Sequence, residues 1–226
     1  MACGLRLDLG MARSEEITVA GLATAHPAAV RVLYRHGIEF CVGGSRPLRD
    51  ACREAAVEVE ALLAEVGREE VGDAGVDWAE RPLGELVDHI LIDFHAVERR
   101  ELDRLLGLFD AGAAPRDAVR AALAETCRRL RAELAEHMAK EETVLFPWIH
   151  SGRGVLARAP IQVMMMEHDA TLRLLNEMRG LRQAYAAAPG ASAALVAGLA
   201  DLDRHVREHM HLENNILFTR ALRGDE

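Results

Sequence analysis

From Pro82 onward, apolar positions recur at helical spacing. In GELVDHILIDFHAVERRELDRLLGLF, Leu86, Ile90, Phe94, Val97, Leu102 and Leu105 fall on one stripe, and Pro82 stands where a first turn would start. Gly112 to Pro115 interrupts the pattern. A long helix is expected from Asp117 to about Ile149, stopped by the Ser-Gly-Arg-Gly run at 151–154. A third begins near Pro160, runs through VMMMEHDATLRLLNEMRGLRQAY and ends before Pro189-Gly190; a fourth covers about Ser192 to Leu222. Four helices of roughly 25 residues with short breaks predict an all-α, antiparallel four-helix bundle.

The chain ahead of the bundle reads as a small helical unit. Pro27 opens a short periodic segment, AAVRVLYRH, that Gly37 is placed to stop. In IEFCVGGSRPLRDACREA, Gly43-Gly44 force a loop, and Ser45 or Pro47 can open another helix. Cys41 then sits on a turn and Cys52 inside the next helix. A helix N-terminus nearby favours thiolate, which makes Cys41 a candidate functional thiol; the alternative is a small half-buried hydrophobe beside a tight turn. Residues 67–77, GREEVGDAGVD, carry glycine and acid without periodicity, as a linker does. The expected division is an N-terminal extension at 1–16, a small cysteine-containing helical domain at 17–68, a linker at 69–80 and the bundle at 81–226.

Composition narrows the classes. The 226 residues are 50% hydrophobic but only 4% aromatic, which favours helix over sheet. A net charge of −9 without a basic stripe argues against a nucleic-acid partner. The opening MACGLRLDLGMARSEE has its short apolar run broken by Arg6 and Asp8, unlike a signal peptide, and Met11 is an alternative start that would remove Cys3. No stretch approaches the ~18 apolar residues of a membrane span. Four scattered cysteines (Cys3, Cys41, Cys52, Cys127) make a poor disulfide framework, so a reducing cytoplasm is expected.

The chemistry lies in a repeated pattern. EHMAKEETVLFPWI places His137 and Glu141 four apart, and REHMHLENNILFTRAL repeats this with His209 and Glu213. On a helix such pairs share a face, roughly 5–6 Å apart at Cβ, close enough to grip one metal centre. Each bundle helix supplies one histidine at a comparable position: His95, His137, His168 and His209. The first pair is separated by 42 residues and the second by 41, each across one hairpin, so the pairs can meet at one level. Four imidazoles and two carboxylates exceed the need of one tetrahedral zinc. They suit two first-row metals sharing bridging carboxylates, with iron preferred over manganese or zinc. Taken singly, each histidine could be a core residue satisfied by a hydrogen bond, and Glu213 an ordinary i,i+4 partner. His89, six residues before His95, is over a hundred degrees off in helical angle and is left out. His26, His36, His150, His205 and His211 are read as surface or loop residues, Glu142 as a solvated or supporting group, and Glu167 as a candidate to face the site or to support its ligands from behind. The Met164–Met166 run is read as core packing.

HMAKEETVLFPWI and HMHLENNILFTRAL resemble the paired motifs of hemerythrin-like domains. DWAERPLGELVDHILIDFH, VMMMEHDATLRLL and GIEFCVGGSRPLRDAC extend the likeness, in order, to the iron–sulfur cluster repair di-iron proteins (the RIC family). The resemblance implies a hemerythrin-like bundle with two non-haem iron ions, oxo- and carboxylate-bridged, on His95, His137, Glu141, His168, His209 and Glu213. Oxygen-carrying hemerythrins have a second histidine on the third ligand helix, one turn on; here that position is Leu172, which implies a more open centre. The small domain departs from the family's Cys-Cys-Gly-Gly, reading Cys41-Val42-Gly43-Gly44, which puts any role for two adjacent thiols in doubt. The implied role is a cytoplasmic stress protein that restores clusters damaged by nitric oxide or oxidants, by iron donation to damaged or apo iron–sulfur proteins. The alternatives are a nitric oxide reductase forming nitrous oxide and a dioxygen or redox sensor. A homodimer is left open.

Overall fold

The computed structural model describes residues 17–73, 75–111 and 118–225. The expectations for Cys3, Met11 and the break at 112–115 fall outside them. Among the described residues the fold is all-α, as the periodicity predicts, and its one extended feature is an isolated bridge between Thr18 and Pro47. The chain divides into two compact units: the residues up to Pro82 together with His211–Ile216, and Leu83–Met210 with Leu217 onward.

The first unit contains α1 (Val19–Ala25), α2 (Ala29–Arg35), α3 (Leu48–Glu54) and α4 (Val59–Gly72). Thr18 caps α1, its Oγ1 accepting the Gly21 N–H at 3.0 Å. Gly37, at φ +68°, ends α2 in the left-handed conformation that a side chain resists. Leu22, Leu33, Phe40, Leu48, Leu62 and Val66 form the buried centre. α4 runs on to Gly72, into the acidic stretch read as linker. The reason is charge rather than apolar periodicity: Arg35 meets Glu65 at 2.6 Å and Glu69 at 2.7 Å, and Arg31 reaches Glu69 and Asp73. Each such pair is weak alone, but a network along one helix face extends it.

Four rods follow, the last of which runs through the His211–Ile216 segment counted with the first unit. The rod α5 comprises Leu83–His89, Ile90–His95 and Ala96–Ala111; α6 comprises Ala118–Lys140, Glu141–Leu145 and Phe146–His150. A short 3₁₀ turn, Gly154–Ala157, leads into α7 (Arg158–Ala186), and α8 comprises Ala193–His211, Leu212–Leu217 and Phe218–Arg223. Neighbouring rods run antiparallel. His95 meets Glu142 while the Phe109 carbonyl, further along, meets Arg120; His137 meets His168 while Thr126 meets Glu177. α8 returns beside α5, with His209 at His95 and Gly198 so close to Leu105 that an added Cβ would lie 2.7 Å from its side chain.

Apolar residues at three- and four-residue intervals face inward. On α6 these are Leu123, Cys127, Leu130, Leu134 and Met138, continued by Leu145 and Ile149. His137 and Glu141 occupy the same stripe. The Met run does not pack as expected: Met164 is buried, but Met165 and Met166 are 45% and 70% exposed. Met164 lies one turn before His168 on the inner face, and each following residue swings about a hundred degrees outward. Between α7 and α8, Asp203 is buried and takes Arg207 at 2.8 Å and Arg179 at 2.8 Å, while Arg207 also bonds Asn176.

The middle segments of α5, α6 and α8 are π-helical. None contains proline or glycine, so neither explains the widened turn. Such segments concentrate at functional sites because they re-aim side chains without breaking a helix. These three carry His95, Glu141 and Glu213.

Candidate metal centre

Two sets of ligand atoms converge. In one, His95, Glu141, His209 and Glu213 offer atoms all within 4.8 Å of one another; in the other, His137, Glu141, His168 and Glu213 do the same. The sets share both carboxylates, and all six residues are buried. Glu141 spans them visibly, with Oε2 3.4 Å from His95 Nε2 and Oε1 3.3 Å from His137 Nε2. The imidazoles face each other in pairs, Nε2 to Nε2, at 3.2 Å for His95 and His209 and 3.0 Å for His137 and His168.

What stands behind the rings decides which nitrogen points inward as a donor. His95 Nδ1 meets Glu142 at 2.8 Å, His137 Nδ1 meets Glu167 at 3.0 Å, and His209 Nδ1 meets Glu98 at 3.2 Å. A carboxylate there selects the Nδ1–H tautomer and leaves the Nε2 lone pair bare. His95 and His209 therefore aim two lone pairs at one another beside buried carboxylates. That arrangement is unfavourable by itself and would be satisfied by a cation. The donor set of imidazole nitrogen and carboxylate oxygen fits a first-row metal. Aromatic rings fix the imidazole planes: His95 stacks on Phe146 at 5.6 Å, His209 on Phe94 at 5.6 Å and His168 on Phe218 at 6.0 Å.

Glu142 and Glu167 are only partly exposed. Burial alone would raise their pKa values, but His95 and Arg99 for Glu142, and Lys140 and His137 for Glu167, hold both below the usual carboxylate range. Both stay ionised at neutral pH. The sequence pointed at both positions without fixing their role. Glu98 was missed, since it lies three residues after His95 yet serves an imidazole on another rod, and nothing in its local pattern says so.

The other histidines sort differently. His89 bonds Asp93 at 2.8 Å, and His150 is exposed at the end of α6. His26 and His36 are half-buried and paired with Glu70 and Glu65, while His205, also half-buried, stacks on Phe94. His211 overturns the surface reading. It is buried, accepts from Asn215 at 2.8 Å and packs edge-on against Phe40; burial pushes its pKa down to about 4 against the pull of the Phe40 and Ala23 backbone. The inward stripe accounts for His209 and Glu213, whereas His211 faces the first unit's own core.

Cys41 belongs to neither ligand set. It is buried, and its S–H donates to Glu39 Oε1 at 2.9 Å, an oxygen that also accepts the Phe40 and Cys41 N–H groups. Asn214 donates to the Cys41 carbonyl at 2.9 Å.

Comparison with known proteins agrees with this geometry. Residues 86–221 match the Hemerythrin HHE cation binding domain, and residues 15–70 match ScdA_N, a domain of unknown function. The chain is 34% identical over 220 residues to the iron-sulfur cluster repair protein YtfE of Yersinia pseudotuberculosis, covering 92% of this chain and 97% of that protein. It is 33% identical over 210 residues to the protein of the same name from Citrobacter koseri, covering 90% and 96%. With a buried histidine–carboxylate cluster inside a matching HHE domain, and relatives similar along nearly their whole length, the chain belongs to the hemerythrin-domain iron–sulfur cluster repair family.

Proposed function

We propose that His95, His137, Glu141, His168, His209 and Glu213 hold two iron ions, and that the protein repairs damaged iron–sulfur clusters by giving iron up. The observation that carries this reading is the pair of buried carboxylates common to two facing histidine pairs. Each position draws four protein donors, fewer than a six-coordinate shell takes, so its ion is open to exchange. Bound iron would supply exchangeable Lewis acidity and one-electron redox chemistry. The chain's own contribution is to aim the inward nitrogens and fix their tautomer. Glu98, Glu142 and Glu167 hold the outer N–H groups, and Phe94, Phe146 and Phe218 lock the ring planes. Glu141 and Glu213 belong to both donor sets, which would let the chain retain one ion while releasing the other.

A cavity of about 540 Å³, lined by Val87, Leu91, Phe146, Pro147, His150 and Glu142, reaches the carboxylate behind His95 and gives a small reactant or an acceptor side chain an approach. Among the described residues no helix is long and apolar enough to cross a membrane. The clients we propose are damaged or apo iron–sulfur proteins, met in the cytoplasm. To receive iron, the Cys41 thiol would first have to leave Glu39; the reading does not depend on it.

The test is transfer. Protein reconstituted with about two iron ions per chain is mixed with apo-ferredoxin and sulfide, and the cluster absorbance is followed. The reading expects iron lost from the chain to appear as cluster, with no transfer from Glu141→Ala. Retention of both ions in the presence of apo-ferredoxin would contradict it. Sustained nitrous oxide release from the diferrous protein supplied with nitric oxide and reductant would assign it instead to reduction of nitric oxide.

A further inference from the structure

One of the three carboxylates behind the imidazoles differs from the others. Glu142 is 32% exposed and its Oε1 is shared between His95 and Arg99, at 2.8 Å each. Glu167 is 29% exposed and divides between His137 and Lys140. Solvent and a cation thus screen both. Glu98 is 0% exposed, meets His209 Nδ1 through Oε2, and has no hydrogen-bond partner at Oε1 among the described residues; no arginine or lysine there reaches it. An unscreened carboxylate in a low-dielectric interior draws more strongly on the imidazole N–H and makes the opposite nitrogen a better donor.

We infer that the two metal positions are unequal and that Glu98 sets the difference as a positioning residue. The position bounded by His95 and His209 holds its ion tightly. The position bounded by His137 and His168 loads last and empties first. This rests on the two-iron repair reading and names which ion is the cargo.

The experiment is ferrous-ion release from the fully loaded chain into excess ferrozine. Wild type should lose one ion in a fast phase and one in a slow phase. Glu98→Gln should speed the slow phase about 10–100-fold and leave the fast one unchanged, whereas Glu167→Gln should speed only the fast phase. Helicity and melting check that each variant folds. Should Glu98→Gln not fold, His168→Ala keeps the inference testable, because it should retain one slowly released ion while His209→Ala retains only a quickly released one. A single wild-type phase, an effect of Glu98→Gln on the fast phase, or loss of the slow ion in His168→Ala would overturn the inference. Two phases without delivery to apo-ferredoxin would sink the repair reading alone. Delivery with a single phase would sink the inequality alone.

Discussion

Glu141→Gln separates a shared ligand from a merely buried acid. Glu141 is 0% exposed and its two oxygens approach imidazoles of different sets, so the substitution removes a carboxylate donor from both proposed metal positions at once. At free ferrous ion a hundredfold above each dissociation constant, binding to the folded state alone stabilises by about 2.7 kcal/mol per position, or about 5 kcal/mol for two. For a chain of this size about 2–4 °C of melting temperature accompanies each kcal/mol, which gives a rise of about 10–20 °C. Glu141→Gln should cut this rise to a few degrees at most, while His168→Ala, which touches one set, should keep about half. The assay is anaerobic thermal unfolding by circular dichroism, each variant melted with and without ferrous ion. Subtracting the two melts cancels any effect of the substitution on the metal-free fold. A full wild-type rise in Glu141→Gln would refute the shared-ligand geometry, whatever its effect on the apo chain.

Three further outcomes follow from the packing. Asp203→Ala strands the buried Arg207 without its carboxylate and should destabilise the protein by about 3–5 kcal/mol in urea unfolding; a loss under about 1 kcal/mol would mean the pair is dispensable. Burial pushes the Cys127 thiol up to about 12, so native protein at pH 8 should resist iodoacetamide at Cys127 and react only when unfolded, as peptide mapping would show. Since the unfolded thiol ionises near pH 9, the stability this burial supplies is complete below about pH 9 and decays as pH rises toward 12. Glu65 is held below the usual carboxylate range by His36 and Arg35. Its contribution is present above about pH 4.5 and fades in more acid solution, so Glu65→Gln should flatten that limb of the pH–stability curve and cost no more than about 1 kcal/mol near pH 7.

Much of the candidate site was legible because its proposed ligands obey helical arithmetic. His137 with Glu141 and His209 with Glu213 stand four apart in matched contexts, and one histidine per rod supplied the rest. The π-helical segments were not legible, since hydrophobic spacing reads a widened turn as an ordinary one. The carboxylates behind the rings depend on pairings between rods: Glu98 meets His209 across 111 residues of sequence, a relation that periodicity within one helix cannot express. His211 misled for a related reason. Its neighbours at 209 and 213 filled the inward stripe, and only the first unit's own folding shows that a second face of that helix is buried too. Met165 and Met166 failed in the opposite direction, where apolar character suggested a core that helical angle denies.

Carboxylates shared between two metal ions must hold those ions close together. Iron K-edge X-ray absorption of the reconstituted chain, alongside its iron content, measures that separation. About two irons per chain are expected, with nitrogen and oxygen neighbours only and an iron–iron vector within about 4 Å. One iron per chain, two with no iron neighbour, or sulfur in the shell would contradict the shared-carboxylate pair.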